Sequence, residues 1–104
     1  MTKYLEREFR DRLDKILVCI KDSNIEYVRL GIFGSYARGT ANGCSDIDVC
    51  VVVNEKPPRR VSGVLRCDAE DLGVDIIFVT EKYLNEDTSL FAKNLRRDWR
   101  DVDV

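Results

Sequence analysis

One stretch constrains this chain more than any other. An apolar run, Val28-Arg29-Leu30-Gly31-Ile32-Phe33, ends directly in Gly34-Ser35; ten residues later Asp46-Ile47-Asp48 opens a second run through Val53. β-Branched and apolar residues of this kind predict two strands. Glycine permits a tight turn and close approach of a ligand. A helix starting at Ser35 would offer its free N–H groups and dipole to an anion such as phosphate. The Ser35 hydroxyl has two roles open to it, capping that helix or bonding a phosphate oxygen.

Side chains alternate along a strand, so Asp46 and Asp48 share one face while Ile47 and Val49 point the other way. Two carboxylates held together resist ionising together. A hard divalent cation relieves that repulsion, and Mg²⁺ favours carboxylate and phosphate oxygens. Two such ions suit in-line displacement at phosphorus. Gly73-Val74-Asp75-Ile76-Ile77-Phe78-Val79 predicts a further strand whose sole charge is Asp75. An unpaired charge buried in such a run is costly, so Asp75 is expected either as a third ligand beside Asp46 and Asp48 or in an ion pair with an arginine. Taken singly, Gly34-Ser35 also reads as an ordinary turn, and Asp46 and Asp48 as the solvent side of an edge strand.

Together these residues resemble the nucleotidyltransferase superfamily of the DNA polymerase β type. The fuller string Gly34-Ser35-Tyr36-Ala37-Arg38-Gly39, followed by Ser45-Asp46-Ile47-Asp48, is similar to its minimal nucleotidyltransferases, the MNT family, small proteins often paired with a helical HEPN partner as toxin and antitoxin. The resemblance covers residues 25 to 80. It implies that Gly34 and Ser35 hold a nucleoside triphosphate, that Asp46 and Asp48 bind two Mg²⁺ ions (or Mn²⁺), and that Asp75 binds the catalytic metal and helps deprotonate the acceptor. It further implies transfer of AMP from ATP to a tyrosine of a HEPN-type partner. Two alternatives stand beside it: a binding module that neutralises its partner by occlusion, and an aminoglycoside-type transferase, for which 104 residues leave little room. Arg38 is a candidate for steadying the triphosphate or for pairing with Asp46; the Tyr36 ring has packing as its simplest role.

At 104 residues, a single domain spanning 1–104 is expected. With 44% hydrophobic and 35% charged residues the composition is that of an ordinary globular protein. Nothing approaches the ~20 apolar residues of a membrane helix, and the N-terminus lacks a signal-peptide core, so a cytoplasmic location is the default expectation. A net charge of −2 argues against a generic DNA or RNA binder. Lys93, Arg96, Arg97 and Arg100 read as a solvated helix face, or else as a contact surface for an acidic partner or RNA. The four cysteines, at 19, 44, 50 and 67, form no Cys-x-x-Cys pair, and histidine is absent, which disfavours structural zinc. Cys19 and Cys50 are expected as reduced core residues, and Cys44 as an exposed, oxidisable one.

Periodicity places a helix at 3–21 with Leu5, Phe9, Leu13, Ile16, Leu17 and Ile20 on its apolar stripe. A second spans Val61, Val64, Leu65, Ala69 and Leu72, closed by Gly73. Thr80 is expected to cap a short helical turn, and Leu90, Phe91, Leu95 and Trp99 mark a last helix before a ragged tail at 101–104. Trp99 reads as a packing anchor. The fold class expected is α/β (α+β): a mixed sheet of three strands flanked by helices, with the three acids along one edge opposite Gly34-Ser35.

Overall fold

Apolar residues three and four apart wind the N-terminal segment into α1 (Lys3–Asp22), which buries Leu13, Ile16 and Ile20 and packs Phe9 and Leu17 at the rim. The computed structural model describes residues 3–42 and 45–102, with side chains from Arg7 onward; Leu5 of the expected stripe, Cys44 and the last two residues of the tail lie outside the described side chains. The chain continues as β1 (Arg29–Phe33), α2 (Gly34–Arg38), β2 (Ile47–Val53), α3 (Arg59–Asp71), β3 (Val74–Thr80), α4 (Glu81–Glu86), α5 (Leu90–Asp98) and β4 (Arg100–Asp101).

The sheet runs β3-β2-β1-β4. β2 is antiparallel to β1 and parallel to β3, the crossover being supplied by α3. The class is as expected, but there are four strands rather than three. Arg100, expected on the basic helix face, and Asp101, expected in the ragged tail, pair with Ile32 and Gly31 of β1, and Val102 N donates to Leu30 O at 2.9 Å. A two-residue polar strand has no periodicity to betray it. Trp99 seats it, as an anchor should: its ring fills the space over Gly31, where a Cβ would lie 2.3 Å from the indole. Its Nε1 donates to Asp101 Oδ1 at 2.7 Å, and the Arg29 guanidinium lies 5.0 Å over the ring.

β2 is covered on both faces. Ile47, Val49, Val51 and Val53 face α1 and α3, together with Val74, Ile76 and Phe78 of β3. Cys50 and Val52 face the other way, towards Leu84 of α4 and Leu95 of α5. Burial on both faces explains why the run reads as continuously apolar rather than alternating, and it leaves Asp48 as the one residue of β2 that is not fully buried.

The caps follow local chemistry. Thr80 Oγ1 accepts from Tyr83 N at 3.2 Å, the expected cap of α4, and Ser89 does the same for Ala92 of α5. Gly73, with φ at +70°, follows the end of α3 and donates to Glu70 O. Within α3 only Leu65 and Ala69 are buried; Val64, expected on the apolar stripe, is 60% exposed because it falls on the solvent side of a helix packed along a single face. In α5, Ala92 and Leu95 carry the packing while Leu90 and Phe91 are exposed. The basic segment is partly internal wiring: Arg96 donates to Leu84 O and Asp87 O at 2.7 and 2.9 Å, tying α5 to α4. Cys19, Cys50 and Cys67 are free thiols. Cys50 is buried, as expected, which pushes its thiol up to about 12; Cys19 is only half-buried. No helix among the described residues is long and apolar enough to cross a membrane.

Candidate active site

β1 ends at Phe33, and a left-handed Gly34 (φ +72°) turns the chain at once into α2. Phe33 occupies the N-cap position with no side-chain hydrogen bond. Ser35 therefore does not cap the helix, and its hydroxyl has no hydrogen-bond partner among the described residues.

Asp48 links this turn to the acids. On one side it pairs with Phe33 of β1, on the other with Asp75 of β3. Its carboxylate fills the space over Gly34: a Cβ on residue 34 would lie 2.1 Å from Asp48 Oδ2. The glycine is thus required twice, by its backbone angle and by the carboxylate against it. Partial burial, then the charges of Asp75 and Asp46, push the Asp48 carboxyl up to about 6, with Arg38 opposing.

Asp46 stands one residue before β2 and is exposed. Asp75 is exposed too, and among the described residues it makes no ion pair. A lone charge in an apolar run suggested a buried environment, but β3 is the outer strand of the sheet, so Asp75 escapes burial without an arginine partner. An open concavity of about 540 Å³ runs beside it, lined by Asp46, Asp75, Arg66, Glu70 and the strand from Gly73 to Ile77.

Arg38, at the end of α2, does not pair with Asp46. Its Nη1 lies 2.8 Å from Asp98 Oδ2 of α5, and Arg97 Nε lies 3.0 Å from the other oxygen. Arg97 and Arg38 together hold the Asp98 carboxyl below its usual range. Arg38 is close enough to Asp48 to favour its ionised form. Tyr36 packs, as its simplest reading had it: it is buried and stacks on Phe9 with centroids 5.1 Å apart. Its hydroxyl accepts a hydrogen bond from Arg12 Nη2. Arg12 also donates to Gly73 O at 3.1 Å and Ser45 O at 3.4 Å. Sequence reasoning passed over Arg12, though a signal existed: it is a charge set among Phe9, Leu13 and Ile16, on the apolar stripe of α1.

The donor set fits a hard cation. Asp46, Asp48 and Asp75 offer oxygen ligands on adjoining strands, and a cation would relieve the repulsion felt by Asp48. Among the described residues no three acidic or cysteine side chains close on one point.

The nucleotidyltransferase-domain family profile matches residues 13–102, nearly the whole chain and the entire site. The chain belongs to that family. The match to this nucleotidyltransferase domain begins at Leu13, one residue past Arg12. A provisionally named protein adenylyltransferase of Methanocaldococcus jannaschii, MJ1305, is 37% identical over 57 residues, covering 54% of this chain. The chain spans only 39% of that relative's length. Among solved structures, a provisionally assigned minimal nucleotidyltransferase superposes with a TM-score of 0.58 at 25% identity, covering 92% of both chains. A toxin–antitoxin complex with AMP-PNP gives a TM-score of 0.61 at 22% identity, covering 85% of this chain and 69% of that one. The complex of tri-AMPylated HEPN toxin with MNT antitoxin from Shewanella oneidensis gives 0.57 at 17%, covering 88% and 69%. The nucleotidyltransferase domain shares its fold with these last two.

Proposed function

We propose that this domain is a metal-dependent nucleotidyltransferase that moves AMP from ATP onto a tyrosine hydroxyl of a HEPN-type partner and so acts as an antitoxin. One observation carries the reading: the Asp48 carboxylate lies against Gly34 and across from Asp75. The glycine turn and the acids that would serve it thus share one place. The names borne by the similar proteins support the nucleotide and the partner, since they include an adenylyltransferase, a complex with AMP-PNP and an AMP-modified HEPN toxin.

In this reading Gly34 and the Ser35 hydroxyl hold the triphosphate, and Arg38 steadies it from the far end of α2. Asp46, Asp48 and Asp75 would hold Mg²⁺ or Mn²⁺, which when bound offsets the charge of the phosphates. The acceptor enters along the concavity beside β3. Its hydroxyl oxygen forms a bond to the α-phosphorus, the bond from that phosphorus to the bridging oxygen of the β-phosphate breaks, and pyrophosphate leaves. Asp75, exposed at the strand edge, takes the hydroxyl proton.

The test is transfer from α-labelled ATP with Mg²⁺ to a co-expressed HEPN-type partner. Label is expected on the partner, reduced about 100- to 1,000-fold by Asp48→Asn, a loss of the size seen when charge stabilisation is removed from a transition state. A tight complex without label, in which an alanine triple variant at 46, 48 and 75 still neutralises the partner, would replace this reading with occlusion.

A further inference from the structure

Three of the pieces that make the site arrive from separate parts of the chain. The glycine turn leaves β1, Asp46 ends a long loop, and Asp75 follows α3. One side chain hydrogen-bonds to a residue neighbouring each of the three in sequence. From the inner face of α1, Arg12 donates to the side-chain hydroxyl of Tyr36, the residue after Ser35, and to Ser45 O, whose peptide leads into Asp46. It also donates to Gly73 O, two residues ahead of Asp75. That last carbonyl accepts from Ile47 N as well, at 3.1 Å, so the same oxygen joins β2 to β3 between the two aspartates of the Asp-x-Asp pair.

We infer that Arg12 is a positioning residue of this active site: its guanidinium sets the distances between the glycine turn and the two outer acids. The consequence for rate rests on the transferase reading above; the geometry does not. A planar fork with five donors can span acceptors on three segments, which a point-charged lysine cannot. The guanidinium lies against the Gly73 backbone, where a Cβ would come within 2.7 Å of Arg12 Nη1. For stability alone the arrangement is poor. Arg12 has no carboxylate partner among the described residues, and its buried Nε donates to nothing. A methionine would fill the volume and remove the orphan N–H, at the cost of the donor to the buried Tyr36 hydroxyl.

Displacing a reacting group by about an ångström can cost up to about 10²-fold in rate. Arg12→Met is therefore expected to lower kcat for AMP transfer about 10- to 100-fold, a larger change than in KM for ATP, because the backbone turn at Gly34 persists while its distance to the acids does not. Arg12→Lys is expected to recover little, and millimolar guanidinium to restore part of the activity of Arg12→Ala. In ¹H–¹⁵N spectra of Arg12→Met, shifts should appear at Tyr36, Asp46 and Asp75 but not at Leu84 or Leu95. Wild-type kcat in a folded variant, or a loss that only tracks the unfolded fraction, would overturn the proposal. If the wild-type protein transfers no label, the transferase reading fails and the spectra decide alone. Shifts confined to the three segments then uphold Arg12 as their anchor, and unchanged or chain-wide shifts refute it. Should Arg12→Met fail to fold, the same measurements on Arg12→Lys judge the point.

Discussion

Asp48 lies between the glycine turn and the other acids, and it is held against its own preference. Its carboxyl titrates near 6 in the folded chain, well above the ordinary 3.8. A raised acid contributes stability that is complete below the unfolded value and is lost as pH rises through the folded one. Above pH 6, in the absence of divalent cations, the ionised carboxylate therefore costs the fold stability. Asp48→Asn is expected to melt at a higher temperature than the wild type above pH 6, and the gap should close as pH falls towards 3.8. Thermal melts across that window check it; a variant less stable than wild type above pH 6 would show that the burial penalty is offset elsewhere. Exchanging activity for stability in this way is common where a site holds like charges together. At this scale the sequence was informative about identity and poor about environment. Gly34, Ser35, Asp46, Asp48 and Asp75 stood out by spacing alone. That Gly34 is filled by a carboxylate, that Asp75 is exposed and that Arg38 reaches Asp98 depend on contacts between residues 14 to 60 positions apart, which no local pattern encodes.

Among the elements, long periodic ones could be read directly and short ones could not. α1 announces itself by side chains that repeat one geometric period, and β1, β2 and β3 by short runs rich in apolar and β-branched residues. Thr80 was legible as a cap because capping is local chemistry. β4 has two residues, and it is joined to the sheet by long-range contacts: Trp99 lies on Gly31 and Asp101 accepts from Arg29. Trp99→Ala should accordingly weaken the sheet at that edge. A half-buried tryptophan is expected to cost about 2–3 kcal/mol, somewhat less than the ~3–5 of a fully buried one, measurable by urea unfolding. Amide exchange should localise the damage, with Val102, which donates to Leu30 O at 2.9 Å, losing protection before the amides of β2. Unchanged protection at Val102 would mean that backbone pairing holds β4 without the indole.

For the whole molecule, the arrangement puts Asp48 on the strand covered from both faces and Asp75 on the outermost one. The rigid partner and the accessible partner of the pair thus come from different depths of one sheet. Fold class followed from the order of runs and breaks along the chain, whereas strand order, which decides which acid meets solvent, is a property of the assembled sheet. It has a practical corollary. Val74–Thr80 is seven residues of strongly β-forming sequence at a sheet margin, and its sole charge is Asp75. Charges on such margins keep chains from zipping together. The acid proposed to accept a proton thereby doubles as the gatekeeper of an otherwise adhesive ribbon. Asp75→Ala is expected to raise concentration-dependent self-association, visible by light scattering, so a silent Asp75→Ala preparation speaks about chemistry only once it is known to be dispersed.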